Sequence, residues 1–350
     1  MKRATVQLGD FLTLKRGYDL PEHARLPGEI PVISSSGVTG THKEAKVYGP
    51  GVVTGRYGTL GEVFYIDEPF WPLNTALYVQ DFKGNHRRFV SYFLRWVLNG
   101  TQSDKAAVPG VNRNDLHARK VQVPDDLSEQ AEIASVLSAY DDLIENNRRR
   151  IQLLEQAARL LYKEWFVHLR FPGHEHTRII DGVPEGWEVR PIKEIVEGVY
   201  DGPHATPPPA EHGAVFLGIK NITESGRLDL SSTRYIAEED LPKWTRRVSP
   251  QAGDIVFSYE ATLNLYALIP EGFRGCLGRR LALVRPIASD RSGLFLYFSF
   301  FSSRWRAVIE QNRLCGVTVD RVPIAKFPDF PLLMPPRKLI VSFHDHVQTS

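Results

Sequence analysis

The chain has 350 residues, which is long for one ordinary domain and suits two domains with connecting segments. Its 42% hydrophobic residues can fill sizeable cores, so the composition excludes an intrinsically disordered protein. The formal net charge is only +2, so binding to nucleic acid would have to depend on local patches or on partner proteins. No apolar run resembles a membrane span or a signal peptide, and we therefore expect a cytoplasmic protein.

Two groups of residues that often bind metals are expected not to do so here. Cys276 and Cys315 lack CxxC or Cys/His spacing, so no zinc site is predicted. In a reducing cytosol we expect two buried free thiols, with a disulfide between them as the alternative. His174 and His176 flank Glu175 outside a helical His-Glu-x-x-His frame, so this group is expected to be a solvated linker.

Residues 1–125 are predicted to form a first domain of mixed α/β or α+β structure. Short β-prone runs are separated by Gly, Pro and Asn, which is typical of strands joined by turns. These runs are Ile30–Ile33, Val52–Thr54, Val63–Ile66 and Ala76–Val79. An aromatic-rich helix is predicted to follow near Arg88–Leu98.

Residues 126–170 predict one long helix of the coiled-coil type. No Gly or Pro occurs in it before Pro172, and Ser128 behind Asp125 and Asp126 is a plausible start. A helix of roughly 40 residues would be about 60 Å long. Its apolar residues alternate spacings of four and three, which is a heptad seam. The seam consists of Ile133, Leu137, Tyr140, Ile144, Asn147, Ile151, Leu154, Ala158, Leu161 and Trp165.

The seam favours a helical partner, because the stripe is both narrow and long. Asn147 is its polar position, a kind of residue that sets register and partner choice. The alternative is an ordinary amphipathic helix that packs on a globular core.

The Pro- and Gly-rich residues 171–186 predict a linker, and residues 187–335 a second mixed α/β domain. Predicted strands at Val215–Ile219, Asp254–Phe257 and Leu281–Val284 precede a predicted helix near Leu294–Gln311. Residues 336–350 predict the start of a second long helix that is much shorter than the first.

Four weak matches between the two arms keep the same order, which indicates a duplication. Their offset only grows along the chain, as insertions in the second copy would cause. The matches pair Gly17-Tyr18-Asp19 with Val199-Tyr200-Asp201 (offset 182), Gly51–Tyr57 with Gly253–Tyr259 (202), Gly110-Val111 with Gly316-Val317 (206) and Pro124 with Pro335 (211).

The sequence contains no constellation that predicts catalysis. It has no GxxxxGK[ST] loop for a nucleotide, no Gly-x-Gly-x-x-Gly after a strand and no Asn/Asp-Pro-Pro-aromatic run of an adenine methyltransferase. The carboxylate pairs Asp125/Asp126 and Asp141/Asp142 fit a helix terminus and a solvated helix face. A binding role is therefore favoured over an enzymatic one.

Candidate DNA contacts are polar, cationic and aromatic side chains in loops between the predicted strands. In the major groove, Arg can address guanine, Asn or Gln can address adenine, and Glu can accept from cytosine. Arg113 with Asn112, and Arg279 with Arg280, are expected to contact phosphates. In the first arm the candidates are Ser35, His42, Lys43, Arg56, Tyr57, Thr59, Asn112 and Arg113. In the second arm they are His204, Lys220, Asn221, Tyr259, Glu260, Thr262, Arg279 and Arg280.

Several segments resemble the specificity subunits of type I restriction–modification systems. They are Leu127–Ala134, Leu137–Asn147, Leu153–Ala157, Leu161–Val167 and the junction Val183-Pro184-Glu185-Gly186-Trp187-Glu188-Val189. The resemblance implies two target recognition domains, each reading one half of a split DNA site, joined by a spacer helix. It also implies no enzyme activity and no cofactor in this chain. Double-stranded DNA, modification subunits with S-adenosylmethionine, and restriction subunits with ATP and Mg would be its partners.

The short second helix departs from this family. It leaves open an inactive truncated remnant, or a helix supplied by another chain. Two other classes also stay open: a coiled-coil scaffold without DNA readout, and an autonomous DNA-cleaving enzyme, for which no metal-binding carboxylates can be assigned.

Overall fold

The computed structural model describes residues 3–56, 61–99, 112–315 and 319–348. The chain divides into two compact units, Met1–Arg149 and Arg150–Ser350. The division falls inside the long helix, and the domain bounds expected from the sequence stay predictions.

The first unit is built from short strands, the three helices α1 to α3 and the first part of the long helix α4. Its elements are β1 (Arg3–Gln7), α1 (Leu8–Phe11), β2 (Thr13–Arg16), β3 (Ile30–Ser34), β4 (Gly37–His42), β5 (Gly51–Gly55), β6 (Val63–Ile66), β7 (Trp71–Pro72), β8 (Ala76–Asp81), α2 (Arg87–Leu98), α3 (Arg113–Ala118), β9 (Lys120–Pro124) and α4 (Leu127–Tyr162). The four strands and the helix predicted for this arm are confirmed.

Two sheets and a strand pair organise this unit. An antiparallel sheet has the order β2-β8-β5-β6, and a second sheet has the order β4-β3-β7, with β3 and β7 parallel. β1 pairs with β9 in antiparallel fashion. Phe89, Phe93 and Val97 recur every four residues, so one face of α2 is apolar and is buried against the four-stranded sheet.

The long helix predicted from the heptad pattern is confirmed. α4 is followed by a π-helical turn over Lys163–Val167. The cap differs from the prediction: Asp126 Oδ1, not Ser128, accepts the first hydrogen bond, from the Ser128 N–H at 2.9 Å. Gln130 is only 1% exposed, and its amide donates to the Pro124 carbonyl at 3.1 Å. This bond joins the start of α4 to β9.

The second unit repeats the same kinds of element. Beyond the long helix they are β10 (Ile179–Ile180), β11 (Val183–Pro184), β12 (Glu188–Pro191), β13 (Val196–Asp201), β14 (Ala214–Leu217), β15 (Arg234–Ile236), α5 (Leu241–Trp244), β16 (Ile255–Ser258), β17 (Tyr266–Leu268), β18 (Gly275–Leu277), β19 (Leu281–Pro286), α6 (Gly293–Ser299), α7 (Ser303–Asn312), β20 (Pro331–Met334) and α8 (Arg337–Gln348).

The sheet topology of the two units is the same, which confirms the predicted duplication. The orders β13-β19-β16-β17 and β15-β14-β18 reproduce those of the first unit, including the parallel pair β14 and β18. The pair β12 and β20 reproduces β1 and β9. The fold is therefore two mixed α/β units joined by a long helix, as the sequence predicted.

Backbone pairing corrects the register of two sequence matches. Gly17 occupies the position of Gly202, so Tyr18 is not equivalent to Tyr200. Arg56 occupies the position of Tyr259, so Tyr57 is not its counterpart. The hydrogen bonds that define these equivalences are Gly17 N to Ala76 O (3.1 Å) with Gly202 N to Leu281 O (2.9 Å), and Arg56 N to Thr75 O (3.0 Å) with Tyr259 N to Arg280 O (3.2 Å). Shared residue types had misplaced the alignment by one to three positions.

Two further expectations for the second unit are wrong in part. The single helix near Leu294–Gln311 is two helices, α6 and α7, because Ser302 is extended and its Oγ caps α7 by accepting from the Trp305 N–H at 3.1 Å. Both cysteines are free, but only Cys276 on β18 is buried, and Cys315 after α7 is exposed. Burial raises the pKa of the Cys276 thiol to about 12.

Candidate nucleic-acid interface

Loops of the first unit converge at one edge of its sheets. This first loop edge consists of Arg16–Asp19, Ser34–Ser36, Arg56 and Leu73–Thr75. It forms because β2, β3 and β5 end where β8 begins. Besides the bonds of Gly17 and Arg56, the backbone bonds that join these loops are Leu73 N to Ile33 O (2.8 Å), Tyr18 N to Pro72 O (2.8 Å) and Asn74 N to Tyr18 O (3.0 Å).

The first loop edge carries polar and cationic side chains. Ser35 lies half-buried in the turn between β3 and β4, and Arg56 lies half-buried after β5. The Arg16 Nε–H donates to the Asn74 carbonyl at 3.3 Å, and the Asn74 amide donates to Asp19. Such groups can donate to and accept from base edges and phosphates.

An aromatic pair beside this edge is electrostatically perturbed. The hydroxyls of Tyr18 and Tyr78 are 3.1 Å apart. The hydrogen bond from Tyr78, helped by the nearby charges of Lys15 and Lys46, lowers the pKa of Tyr18. Burial, followed by the same hydrogen bond, raises the pKa of Tyr78. Lys46 also lies 4.7 Å from the centre of the Trp71 ring. The cations Lys15 and Lys46 close to this pair are groups that can attract a phosphate.

His42 and Lys43 do not lie at the first loop edge. His42 pairs with Ile30 at the opposite end of the β3–β4 hairpin from Ser35. His42 is 4% exposed, and its Nδ1 accepts from the Leu26 N–H at 3.0 Å, so it holds the hairpin and is closed to a DNA base. Lys43 is exposed. Tyr57 and Thr59 lie outside the described residues.

Asn112 and Arg113 start helix α3. Asn112 caps the helix, its Oδ1 accepting from the Asn114 N–H at 2.9 Å, and Arg113 is exposed. Four residues further along, His117 Nε2 accepts from the Leu14 N–H at 2.9 Å, which ties α3 to β2. Burial, then the charge of Arg113, lowers the pKa of His117.

The first unit should lose stability in mild acid because of His117. Protonation of the ring would destroy the acceptor for the Leu14 N–H, and the unfolded chain takes up the proton first, near the ordinary histidine pKa of about 6.5. The stabilisation of the folded state by neutral His117 is therefore complete above about pH 6.5 and declines as the pH falls below that value. Thermal unfolding between about pH 7 and pH 5 should show a shallower loss in His117→Gln than in the unchanged protein. Equal pH slopes for both would contradict this role of His117.

The second unit has an equivalent convergence of loops. This second loop edge consists of Asp201–His204, Gly218–Lys220, Ser258–Thr262 and Gly278–Arg280. The strands approach closely here: a Cβ on Gly278 would lie 2.4 Å from the Leu217 carbonyl oxygen, so only glycine fits. The Tyr259 hydroxyl donates to the Arg279 carbonyl at 2.8 Å. This bond holds the loop that carries Arg279 and Arg280.

The second loop edge carries several ion pairs with exposed cations. Asp201 pairs with His204 at 2.9 Å and with Arg247 at 2.6 Å. Glu260 lies 3.5 Å from Arg280. Arg279, Lys220 and Thr262 are exposed. Partly solvated cations of this kind can exchange a carboxylate partner for a phosphate or a base edge.

Two sequence candidates at this edge are structural. Asn221 is 1% exposed: its Oδ1 accepts from the Gly218 N–H at 2.9 Å and its Nδ2 donates to the Asp229 carbonyl at 2.9 Å. Tyr259 is 6% exposed, and burial raises its pKa. Both side chains shape the loops, and neither is open to DNA.

Sequence reasoning missed Arg16, Asn74 and Arg247. Asn74 lies in a turn two residues after Pro72, and Asn close behind Pro is a sequence pattern that predicts a turn. That pattern could have identified Asn74 as a loop residue. Arg247 donates to the Gly202 carbonyl, which lies 45 residues earlier in the chain. A local sequence pattern cannot predict a contact over that separation.

The predicted seam of α4 is packed at its ends and exposed in its middle. Ile133 packs on the core of the first unit, and Leu161 and Trp165 pack on the core of the second. Between them Leu154 is half-buried and Asn147 is exposed. The exposed apolar seam residues are Leu137 (38%), Tyr140 (62%), Ile144 (47%) and Ile151 (52%).

Within the described ranges, no group of three or more His, Cys, Asp or Glu side chains is placed to hold a metal ion. Among the same residues, no helix is long and apolar enough to cross a membrane.

Comparison with known proteins agrees with this architecture. Residues 2–156 match the type I restriction modification DNA specificity domain. The type I restriction enzyme MjaIX specificity subunit of Methanocaldococcus jannaschii is 25% identical over 244 residues, 66% of this chain and 54% of the relative. The MjaVIII specificity subunit of the same organism is 28% identical over 176 residues, 49% of this chain and 40% of the relative. The matches thus span about half the length of these relatives.

A solved structure shares the fold. The type I restriction–modification S subunit from M. genitalium superposes with a TM-score of 0.58 at 13% identity, covering 99% of this chain and 89% of that one. At this identity the likeness shows a shared fold, which is two duplicated α/β units with a long helix. The match over residues 2–156 and the likeness to these two relatives support the resemblance to type I restriction–modification specificity subunits that the sequence motifs predicted.

Proposed function

We propose that this chain is the non-catalytic DNA-reading subunit of a type I restriction–modification complex. Each loop edge reads one half of a bipartite DNA site. Modification subunits methylate adenine with S-adenosylmethionine, and restriction subunits use ATP and Mg to translocate and cleave. The observation that supports this most is the repetition of one loop edge, with different side chains, on two copies of one fold.

The proposed DNA contacts are the sequence candidates that the packing leaves accessible, together with those outside the described residues. In the first unit they are Ser35, Lys43, Arg56, Tyr57, Thr59, Asn112 and Arg113. In the second unit they are His204, Lys220, Glu260, Thr262, Arg279 and Arg280. Arg16, Asn74 and Arg247 join them because of their places at the two edges.

Exchange of residues 1–125 for the corresponding segment of another specificity subunit tests the proposal. Since each unit carries its own loop edge, one half of the methylated motif should change and the other half should stay the same. The methylated motif of host DNA is the readout. A change in both halves, or in neither, would overturn independent reading by the two units.

Arg279→Ala should weaken DNA recognition at one half-site. Arg279 is expected to contact a phosphate, so its loss should weaken binding and should reduce the slope of log K against log salt by about 0.9. Arg190→Ala is a matched control, because Arg190 on β12 is exposed and paired with Glu188 away from the loop edge. Equal binding losses in both variants would show that Arg279 acts only as a general positive charge.

A further inference from the structure

One connection in the three-stranded sheets differs in length between the two units. In the first unit, β3 and β4 are joined by Ser35 and Ser36 alone. In the second unit, residues 218–233 join β14 to β15. A loop of that length costs more conformational entropy to hold in one place than a tight turn does. Since this loop begins at the second loop edge, its side chains can bind DNA in one orientation only if other contacts hold it.

Residues 221–229 fold part of this connection into a short hairpin. At its base, the Asp229 N–H donates to the Asn221 carbonyl at 2.8 Å, and Asn221 Nδ2 donates to the Asp229 carbonyl at 2.9 Å. Near its tip, the Thr223 N–H donates to the Arg227 carbonyl at 2.9 Å. The hairpin is therefore bonded across both strands from its base to its tip.

The tip of the hairpin is attached to the C-terminal part of α4. Arg227 donates to Glu155 Oε2 from Nε at 2.7 Å and from Nη2 at 2.5 Å. The Arg159 guanidinium donates to the Ser225 carbonyl. Glu155 and Arg159 are four residues apart on the helix and therefore lie on the same face. One face of α4 thus binds the tip through two side chains.

Gly226 allows the tip to approach the core this closely. The hydroxyl of the buried Tyr297 donates to the Gly226 carbonyl at 2.8 Å. A Cβ on Gly226 would lie 2.4 Å from the Tyr297 hydroxyl oxygen and 2.7 Å from a ring carbon of Phe301. Gly226 also has a φ of +87°, which favours glycine. A side chain at this position would push the tip away from the helix.

The base of the hairpin continues into the second loop edge. Lys220 is exposed and directly precedes Asn221. Asn221 Oδ1 accepts from the Gly218 N–H at 2.9 Å, so the side chain that closes the hairpin also shapes the turn that carries Lys220. Hydrogen bonds therefore connect α4 to the backbone beside Lys220.

We propose that the 221–229 hairpin is a positioning element, and that its attachment to Glu155 and Arg159 holds Lys220 in the orientation that binds DNA. This inference rests on the proposed function, in which the second loop edge reads one half-site. A loop that is already ordered loses less conformational freedom when DNA binds, so the attachment strengthens recognition without contacting DNA. Lys220 makes the contact, and the residues of the attachment act through it.

Gly226→Ala and Gly253→Ala are a matched pair that tests the attachment itself. Both glycines have a φ of +87°, so both alanines carry a similar backbone strain. Among the described residues, no atom would lie within 4 Å of a Cβ on Gly253. Gly226→Ala should therefore release the tip, and amide hydrogen exchange of residues 221–229 in the free protein should become roughly 10-fold faster. Gly253→Ala should leave that exchange unchanged.

The effect on DNA binding is measured with the complex of this chain and a type I modification subunit. The probe is a duplex that carries the methylated split motif. Lys220→Ala should weaken binding roughly 5- to 10-fold, which corresponds to one hydrogen bond, and Gly226→Ala should weaken it by a similar factor. The double variant should bind no more weakly than Lys220→Ala, because both changes remove the same contact.

Glu155→Arg separates the attachment from general charge. The added positive charge would by itself tighten DNA binding. It also repels Arg227 and should release the tip, so we expect weaker binding. Addition of Arg227→Glu restores an opposite-charge pair and should restore binding. Glu164→Arg is the control and should not weaken binding, because the Glu164 carboxylate is similarly exposed (44% against 39% for Glu155) but pairs with Arg170.

Three results would count against the proposal. Equal exchange in Gly226→Ala and Gly253→Ala would show that α4 does not hold the tip. Faster exchange with unchanged DNA binding would show that the attachment does not position Lys220. Additive losses in the double variant would assign the effect of Gly226→Ala to another contact. Failure of the unchanged complex to bind the duplex would instead contradict the proposed function, and the exchange measurement would still decide whether the tip is held.

Discussion

Replacement of Arg285 by methionine should destabilise the second unit by about 3–5 kcal/mol. Arg285 forms a bidentate ion pair with Asp254, Nε to Oδ1 at 2.8 Å and Nη2 to Oδ2 at 2.7 Å. The Asp254 side chain is 2% exposed, and its Oδ2 also accepts from the Gln251 N–H at 2.8 Å. Without Arg285, a buried carboxylate keeps its desolvation cost and loses its counter-ion. Urea unfolding of the second unit measures the effect.

Two controls separate this buried pair from a general loss of charge. Arg274→Met removes the partner of Glu238 in a pair whose side chains are 66% and 48% exposed, and it should cost about 0–1 kcal/mol. The double variant Asp254→Asn/Arg285→Met should be more stable than Arg285→Met alone, because a neutral amide replaces the unpaired carboxylate. A small cost of Arg285→Met, similar to that of Arg274→Met, would contradict the account.

Truncation of Phe343 to alanine should cost the second unit about 3–5 kcal/mol. Phe343 on α8 is fully buried, and its ring meets Tyr162, Trp165, Phe166 and Phe298 with centroids 5.2–6.1 Å apart. The change removes these contacts and leaves a cavity where α8 meets the end of the long helix. Urea unfolding measures the loss.

Lys338→Ala is the control for the helix itself, because Lys338 is exposed on the same α8 and its loss should change stability by less than about 0.5 kcal/mol. If Phe343→Ala unfolds at the same urea concentration as Lys338→Ala, then α8 does not contribute to the core of this unit.

The sequence predicted the long helix well because its signal is local and periodic. The spacing from Ile133 to Trp165 is a property of one segment, and α4 with its π-helical turn covers that segment. The strands at Val52–Thr54 and Val63–Ile66 were predicted for the same reason, since each is a short run of β-branched or aromatic residues between turns. The order of the matched segments indicated the duplication, but the sequence did not give the residue-by-residue alignment of the two units. Backbone hydrogen bonds, and not residue types, decide which positions are equivalent.

The candidate site was predicted less completely, because accessibility is a property of the folded units. His42 and Asn221 were expected in loops, but His42 ends strand β4, and packing buries both side chains, which hold the backbone by hydrogen bonds. Arg16 and Arg247 gain their places from partners far along the chain. No local pattern carries that information.

Methylated-adenine sequencing of host DNA, after co-expression of this chain with a type I modification subunit, tests the proposed function most directly. The account predicts one split motif, two short specific halves separated by a gap of fixed length, which is absent when this chain is omitted. Methylation at a single continuous motif, or the same methylation with and without this chain, would contradict DNA reading by its two loop edges.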